Sequence, residues 1–316
     1  MSYRVLNSIS VKNLSGRELA KDKSSLLVIL VDKTAKKNNL LVHLDKVSKG
    51  GLFGSINSLM KSKAKSLNLY SVAGVSSKEI LLMKTPEKSD TYVWLNFFKS
   101  ISKVANSLGK QDISVMFACK TLKNRDDNWM IEACCRQIEA SAYIFGSSKN
   151  KTVVKPSLKR ASIIVGSVSA SSLKKLKNSA KVGFAAGEGM NAAKHLGDMP
   201  ANLCTPRIIE KKVKALKKPF PKLKISSFNE KDLAKLKMGS FLSVGRGSDE
   251  PSRMMTIEHK GGKKGEKPIV LVGKGITFDT GGISLKPSPA MDEMKWDMCG
   301  AASVFGVMIA LARLNA

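Results

Sequence analysis

Two lysines and two aspartates lie at fixed spacings in the glycine-rich stretch 272–302 and could do chemistry together. Lys274 and Asp279 come directly after an apolar run, Lys286 lies seven residues past Asp279, and Asp297 lies eleven past Lys286. Carboxylate oxygens suit divalent ions such as Mn²⁺, Mg²⁺ or Zn²⁺. A lysine can join them as a ligand once its amine is neutral. The spacing therefore makes this stretch a candidate metal pocket.

The elements on either side must position these side chains. The apolar run 269–272 predicts a buried strand, so Lys274 and Asp279 are expected on the turn at its carboxyl end, where α/β sheets place functional groups. The small-residue run 299–302 opens an apolar helix, and close packing of that helix is expected to point Asp297 into the same pocket. Four glycines let the backbone fold tightly around the turn: Gly273, Gly275, Gly281 and Gly282.

Residue types alone leave a purely structural loop open, because glycine-rich loops with scattered aspartates and lysines are common after strands. The three histidines, His43, His195 and His259, lie outside the stretch, which excludes a histidine-based zinc site there. The element Gly273-Lys274-Gly275 lacks the spacing and the Lys-Ser/Thr ending of a phosphate-binding loop. Spacing by itself does not choose between a loop and a metal site.

Length and composition predict a globular protein of about two domains. The chain has 316 residues, 43% of them hydrophobic. It has no uninterrupted apolar run of the roughly 18–20 residues that span a bilayer, and no secretory-signal pattern at its N-terminus. We therefore expect a cytoplasmic protein without membrane contact. The five cysteines are odd in number and show no paired spacing, which argues against a disulfide framework.

The formal net charge is +29, and its distribution bears on possible partners. Residues 1–150 carry +12, residues 151–250 carry +14, and residues 251–316, which include the candidate pocket, carry only +3. Lysine-rich runs at 174–177 and 211–218 could bind phosphates. They contain few arginines and little aromatic character, so base reading is poorly supported. A lysine-biased surface and a polyanion partner both stay open.

Short apolar runs alternating with helical stretches predict an α/β fold for the first part of the chain. Strands are expected at 26–31, 40–44, 80–83, 113–118 and 163–168, and helices at 94–108 and 127–145. An alanine-rich pattern at 171–196 predicts a helix that connects two domains.

The second part also alternates helices and strands. Thr205-Pro206 is expected to cap a helix that continues to residue 218. A further helix is expected at 230–236, and strands of a mostly parallel sheet at 241–244, 254–259 and 269–272. The predicted organisation is an N-terminal α/β domain at 1–168, a connecting helix at 169–198, and the first part of a mostly parallel α/β domain at 199–316.

The run GKGITFDTGGISLKPSPAMDEMKWDMCGAASV is similar to the leucyl aminopeptidase family, the dinuclear cytosol aminopeptidases. Upstream, NAAKHLGDMPANLCTP and KMGSFLSVGRGSDEPSRMMTIEHKG resemble the segments that lead into its catalytic domain. The resemblance covers 191–316, and over 1–165 it rests on order and length. It implies a metallo-exopeptidase that uses two divalent ions, Mn²⁺ or Zn²⁺, to release N-terminal amino acids, with a leucine-type preference, from peptides.

The resemblance also implies a role for each matching residue. Lys274, Asp279 and Asp297 match metal ligands, with Asp279 bridging the two ions, and Lys286 matches the catalytic lysine. Met294 matches a residue that lines the pocket for the substrate's first side chain, although a core position fits it nearly as well. In the family's mechanism the ions hold the free α-amine and a bridging hydroxide, while Lys286 polarises the scissile carbonyl.

One departure from the family affects activity and assembly. The family takes a further metal-binding aspartate and glutamate, and an arginine, from a later Asn-Thr-Asp-Ala-Glu-Gly-Arg segment that these 316 residues lack. One metal site would keep Lys274, Asp279 and Asp297, and the other only Asp279. We therefore expect a C-terminally truncated member with little or no activity of its own, whose assembly into the family's homo-hexamer is in doubt. The alternatives are a DNA-binding role, which some members have, and a non-catalytic scaffold.

Overall fold

The computed structural model describes residues 3–146, 155–263 and 265–316. They divide into two compact units, each with its own hydrophobic core. The N-terminal unit holds residues 4–144 and 155–187, and the C-terminal unit holds Tyr3, residues 145–146 and the described chain from Glu188 onward.

A six-stranded sheet forms the centre of the N-terminal unit. Its strands are β1 (Ser8–Asn13), β2 (Leu26–Val31), β3 (Ser66–Tyr70), β4 (Glu79–Lys84), β5 (Asp112–Ala118) and β6 (Arg160–Val165), in the order β1-β6-β5-β2-β4-β3. Only β3 runs antiparallel to its neighbour, and the other pairs are parallel. The predicted α/β class is confirmed.

The apolar run of β2 shows why the sheet forms. All six of its residues are fully buried. Leu26, Val28 and Leu30 pack into the core on one face, while the alternate residues pack into a second core on the other. A strand buried on both faces has a continuous rather than an alternating hydrophobic sequence, because helices cover both sides of a parallel sheet.

Helices cover both faces of the sheet. They are α1 (Gly16–Ala20), α2 (Asn39–Val47), α3 (Gly51–Lys61), α4 (Thr91–Ser107), α5 (Asp127–Ser141) and the first part of α6 (Ala170–Asp198). Asp90 and Asp126 each accept a hydrogen bond from the backbone N–H three residues on, which satisfies a donor that the helix leaves free. The helices predicted at 94–108, 127–145 and 171–196 are thus present with slightly different ends.

The strand predicted at 40–44 is wrong, because these residues lie in α2. Asn38 caps this helix by accepting from the Leu41 N–H, and Leu40, Leu41 and Leu44 are buried on its inner face. An apolar run this short fits a strand or a buried helix equally well. The predictions also omit strands β1 and β3 and helices α1 and α3.

The C-terminal unit contains the end of α6, then α7 (Pro206–Ala215), β7 (Lys224–Phe228), α8 (Glu230–Lys235), α9 (Gly239–Val244), β8 (Met254–Glu258) and α10 (Cys299–Leu314), with a 3₁₀ turn at Met291–Trp296. Thr205 caps α7 by accepting from the Ile208 N–H, and Pro206 occupies the first turn, as predicted. Strands β7 and β8 pair antiparallel as a two-stranded sheet.

Two strands predicted for this unit do not form. Residues 241–244 lie in helix α9 instead. Residues 269–272 have no regular secondary structure, and their side chains are 46% to 92% exposed. A strand needs hydrogen-bonded neighbours as well as an apolar sequence, and no described strand pairs with this segment. The turn that follows it must therefore be located by other contacts.

Helix α10 packs against the second half of α6 in the C-terminal core. Phe305, Met308 and Ile309 are buried there. Among the described residues, one stretch, Met291–Leu314, is long and apolar enough by composition to cross a membrane, and 33% of its most apolar window is buried. A core helix of a soluble protein meets the same criterion. All five cysteines are free thiols.

Candidate metal and catalytic site

The structure brings the five predicted site residues together in the C-terminal unit. Lys274 Nζ lies 2.7 Å from Asp297 Oδ2 and 3.7 Å from Asp279 Oδ2. Lys286 Nζ lies 3.0 Å from the same oxygen of Asp279 and donates to Met294 Sδ at 3.1 Å. Two carboxylates and two ammonium groups thus alternate along one series of contacts, in the order Asp297, Lys274, Asp279 and Lys286, which we call the lysine–aspartate cluster.

A tight turn joins Asp279 to Lys286. Asp279 Oδ1 accepts from the Gly281 N–H at 2.9 Å, and the Lys286 N–H donates to the Thr280 carbonyl at 2.9 Å. Gly281 and Gly282 have φ values of +96° and +83°, in the left-handed region that side chains with a Cβ rarely adopt. The glycines named from the sequence therefore bring an aspartate and a lysine seven positions apart into contact.

Helix α10 and the turn before it position Asp297. The Asp297 N–H donates to the Met294 carbonyl at the end of the 3₁₀ turn, and the next residue, Met298, is fully buried. The Ala301 N–H in the first turn of α10 donates to the Lys274 carbonyl at 2.8 Å. This bond ties the lysine's backbone to the helix that follows the aspartate.

The charges of the cluster reinforce one another. The hydrogen bond from Lys286, followed by that from the Gly281 N–H, lowers the pKa of Asp279 to about 2. The hydrogen bond with Asp297 raises the pKa of Lys274 above its ordinary value. Lys274 and Asp279 are therefore charged near neutral pH. The side chain of Lys274 is 55% exposed, so the cluster opens to solvent.

The chemistry of these groups fits a single divalent ion. Asp297 Oδ2 is shielded from solvent and lies 2.7 Å from Lys274 Nζ, and a carboxylate oxygen has further lone pairs that it can share with a metal ion. Asp279 offers the second carboxylate, and Lys274 becomes a donor when it loses its proton. Across residues 3–146, 155–263 and 265–316, no three His, Cys, Asp or Glu side chains gather as a metal site.

Two contributors were not singled out by the sequence. The Thr280 carbonyl and the Ala301 N–H act through the backbone, so their side chains give no signal. The start of α10 does give an indirect sequence signal. Met298 occupies the N-cap position and provides no side-chain cap, so a first-turn N–H of the helix needs an acceptor from another segment. His195 lies apart from the cluster's contacts and packs against the rings of Tyr3 and Phe145.

The fold and the cluster define an α/β protein with a candidate metal centre at the start of its last described helix. Residues 191–316 match the model of the cytosol aminopeptidase family, catalytic domain. This match assigns residues 191–316 to the catalytic domain of the cytosol aminopeptidase family, and the relatives below extend the similarity over most of the chain.

The relatives match between 61% and 92% of this chain in the two examples that follow. A "Probable cytosol aminopeptidase" of Aromatoleum aromaticum is 37% identical over 296 residues, which are 92% of this chain and 59% of the relative. One of Alkalilimnicola ehrlichii is 47% identical over 196 residues, 61% of this chain and 39% of the relative. A solved mutant of tomato leucine aminopeptidase shares the fold, with a TM-score of 0.73 at 21% identity, over 98% of this chain and 60% of that one.

The chain is shorter than these proteins. It spans about 60% of the length of the curated relatives that it matches over most of its own length.

Proposed function

We propose that the protein is a metal-dependent aminopeptidase that releases N-terminal amino acids, with a leucine-type preference, from peptides. The observation that carries the proposal is the contact of Lys274 with both Asp279 and Asp297, beside Lys286, in a chain whose residues 191–316 match the catalytic domain of the cytosol aminopeptidase family. The relatives' names support the reaction, and the cluster supplies groups suited to it.

Each residue of the cluster has a role in this proposal. Asp279, Asp297 and the neutral amine of Lys274 would hold a divalent ion, Mn²⁺ or Zn²⁺. Such an ion supplies a water nucleophile of lowered pKa and a template for the substrate. Lys286, held between Asp279 and Met294, would donate to the carbonyl oxygen of the scissile bond and stabilise the negative charge that develops there. Met294 would border the substrate's first side chain.

The cluster's donors limit the metal content that we propose. Two ions bridged by Asp279 would need more oxygen donors than the two carboxylates gathered in the described cluster. We therefore propose that the 316-residue polypeptide binds one ion and hydrolyses substrate slowly. A second ion would need donors beyond this cluster, and a cytoplasmic location and a homo-hexamer are proposed by analogy with the relatives.

The test is a titration of the purified 316-residue polypeptide with Mn²⁺, followed by electron paramagnetic resonance, together with an assay of leucine release from leucyl amide. We expect about one bound ion per chain and weak turnover. Absence of saturable Mn²⁺ binding would refute the metal site. Rapid Mn²⁺-dependent leucine release would refute the impairment and leave the aminopeptidase assignment in place.

A DNA-binding role is the second candidate, and the charge of +29 favours it. Lys174, Lys175 and Lys177 are exposed near the start of α6. Phosphate contacts release counterions, so true binding must weaken steeply with salt. We expect retention of duplex DNA at low salt that Lys174→Gln/Lys175→Gln/Lys177→Gln reduces, compared with a control that neutralises three exposed lysines elsewhere: Lys231→Gln/Lys235→Gln/Lys237→Gln. Binding that barely responds to salt, or equal loss in both variants, would exclude this surface.

A further inference from the structure

Lys274 is not held by a sheet, although the sequence predicts that a strand leads into it. The preceding segment, 269–272, forms no strand and is largely exposed. The position of Lys274 relative to Asp297 must come from another contact. That contact is with the first turn of α10, where the Ala301 N–H donates to the Lys274 carbonyl at 2.8 Å.

This hydrogen bond serves both partners. The first backbone N–H groups of a helix have no partner within the helix, and Met298 offers α10 no side-chain cap. The Lys274 carbonyl takes the place of that cap. Asp297 lies immediately before the same helix, so the cap holds Lys274 and Asp297 at a fixed position relative to each other.

Two glycines allow the backbone around Lys274 to pass close to the first turn of α10. A Cβ on Gly273 would lie 2.5 Å from the Gly300 carbonyl oxygen and 2.6 Å from the backbone of Ala301. A Cβ on Gly300 would lie 2.9 Å from the Lys274 nitrogen. These neighbours are backbone atoms that cannot rotate away. Neither glycine has a positive φ, so each provides space rather than an unusual backbone conformation.

We propose that Gly273 and Gly300 are positioning residues of the metal site: they let the backbone of Lys274 cap α10 and thereby fix Lys274 against Asp297. The proposal deepens the proposed function and rests on it for the role of the metal. The cap itself is independent of any metal.

The test is a graded series of alanine substitutions in the 316-residue polypeptide. Gly247→Ala is the control, because its Cβ would meet nothing within 4 Å. Gly275→Ala is an intermediate case, since its Cβ would lie 3.3 Å from the Ala301 Cβ. Gly300→Ala and Gly273→Ala introduce progressively closer contacts with backbone. The intermediate variant keeps the series informative if the closest contacts prevent folding.

Two readouts separate positioning from a general loss of structure. The first is the exchange rate of the Ala301 amide hydrogen without metal, measured by nuclear magnetic resonance. The second is the Mn²⁺ affinity and the electron paramagnetic resonance spectrum of the bound Mn²⁺, at a temperature where each variant is folded. We expect wild-type behaviour in Gly247→Ala, a small change in Gly275→Ala, and in Gly300→Ala and Gly273→Ala at least tenfold faster exchange with at least tenfold weaker Mn²⁺ binding.

The outcomes distinguish this proposal from the proposed function. Protected Ala301 amides in both close-contact variants would overturn the cap, and fast exchange with unchanged Mn²⁺ affinity would overturn its role in positioning. If the wild type takes up no Mn²⁺, the metal site falls and the positioning of a metal ligand falls with it. The ordered rise in Ala301 exchange would then still establish the cap as a contact that fixes the lysine–aspartate cluster.

Discussion

Arg313 of α10 forms a two-point ion pair with Glu188 of α6. Its Nε lies 2.9 Å from Oε2 of the glutamate and its Nη2 lies 2.8 Å from Oε1. The Glu188 side chain is only 1% exposed, and the guanidinium also lies over the Phe220 ring at 4.8 Å. A planar guanidinium matches a carboxylate at two points, so the pair fixes the orientation of α10 as well as its distance from α6.

Removal of the arginine should destabilise the C-terminal unit. We expect Arg313→Ala to lower the free energy of unfolding by about 3 kcal/mol, because it removes two charge-assisted hydrogen bonds from a carboxylate that is almost fully buried. The matched control is Arg207→Ala, which removes an exposed pair with Glu250 at 3.6 Å and should cost about 0–1 kcal/mol. Urea unfolding followed by circular dichroism measures both, and equal losses would show that the buried pair has no special weight.

The crossing of α6 and α10 depends on two further glycines. A Cβ on Gly189 would lie 2.4 Å from the Gly306 carbonyl oxygen, and a Cβ on Gly306 would lie 2.4 Å from the Gly189 carbonyl oxygen. We expect either alanine substitution to cost about 1–3 kcal/mol, as overpacking does elsewhere. Gly239→Ala, where a Cβ meets nothing within 4 Å, is the control. Unchanged melting temperatures in all three variants would contradict the close approach.

Acid should weaken the attachment of α7 to the small sheet. Hydrogen bonds from Lys214, then Ser227, with Arg253 also contributing, lower the pKa of Glu210 to about 2 from its ordinary 4.5. A carboxylate with a lowered folded-state pKa contributes stability that is present above about pH 4.5 and is lost as the pH falls towards 2. Melting temperature measured between pH 2.5 and 6 should fall with acid in the wild type.

The variant Glu210→Gln should be less stable at pH 6, by about 1–2 kcal/mol for its charged hydrogen bonds, and should flatten the acid dependence. Glu258→Gln is the control on the neighbouring strand, because its pairs with Lys224 and Lys260 are exposed. A Glu210→Gln profile parallel to that of the wild type would assign the acid dependence to other groups.

Substitutions in the lysine–aspartate cluster should affect metal binding differently. We expect Asp279→Asn to weaken Mn²⁺ binding at least tenfold, since it removes a carboxylate charge. Lys286→Gln should leave the affinity equal or stronger, because it removes a positive charge 3.0 Å from that carboxylate. Asp292→Asn, an exposed neighbour on the 3₁₀ turn, is the control. Calorimetric titration measures all three, and equal affinities for Asp279→Asn and Asp292→Asn would exclude Asp279 as a ligand.

Local signals in the sequence determined much of this protein. Thr205-Pro206 marked the start of α7 because capping is a short-range interaction, and the continuous apolar run of 26–31 marked a strand covered on both faces. The residues of the lysine–aspartate cluster and the family were also identified from the sequence, since both depend on residue types at fixed spacings.

Tertiary structure decided what the apolar runs become and how the cluster is held. Residues 40–44 form a helix and residues 269–272 form no strand, because strand formation depends on partners far away in the sequence. The same dependence applies to the site. Spacing named Lys274 and Asp297, but their 2.7 Å contact requires the backbones of Gly273 and Gly300 to meet, and such a contact has no signature in the side chains of either segment.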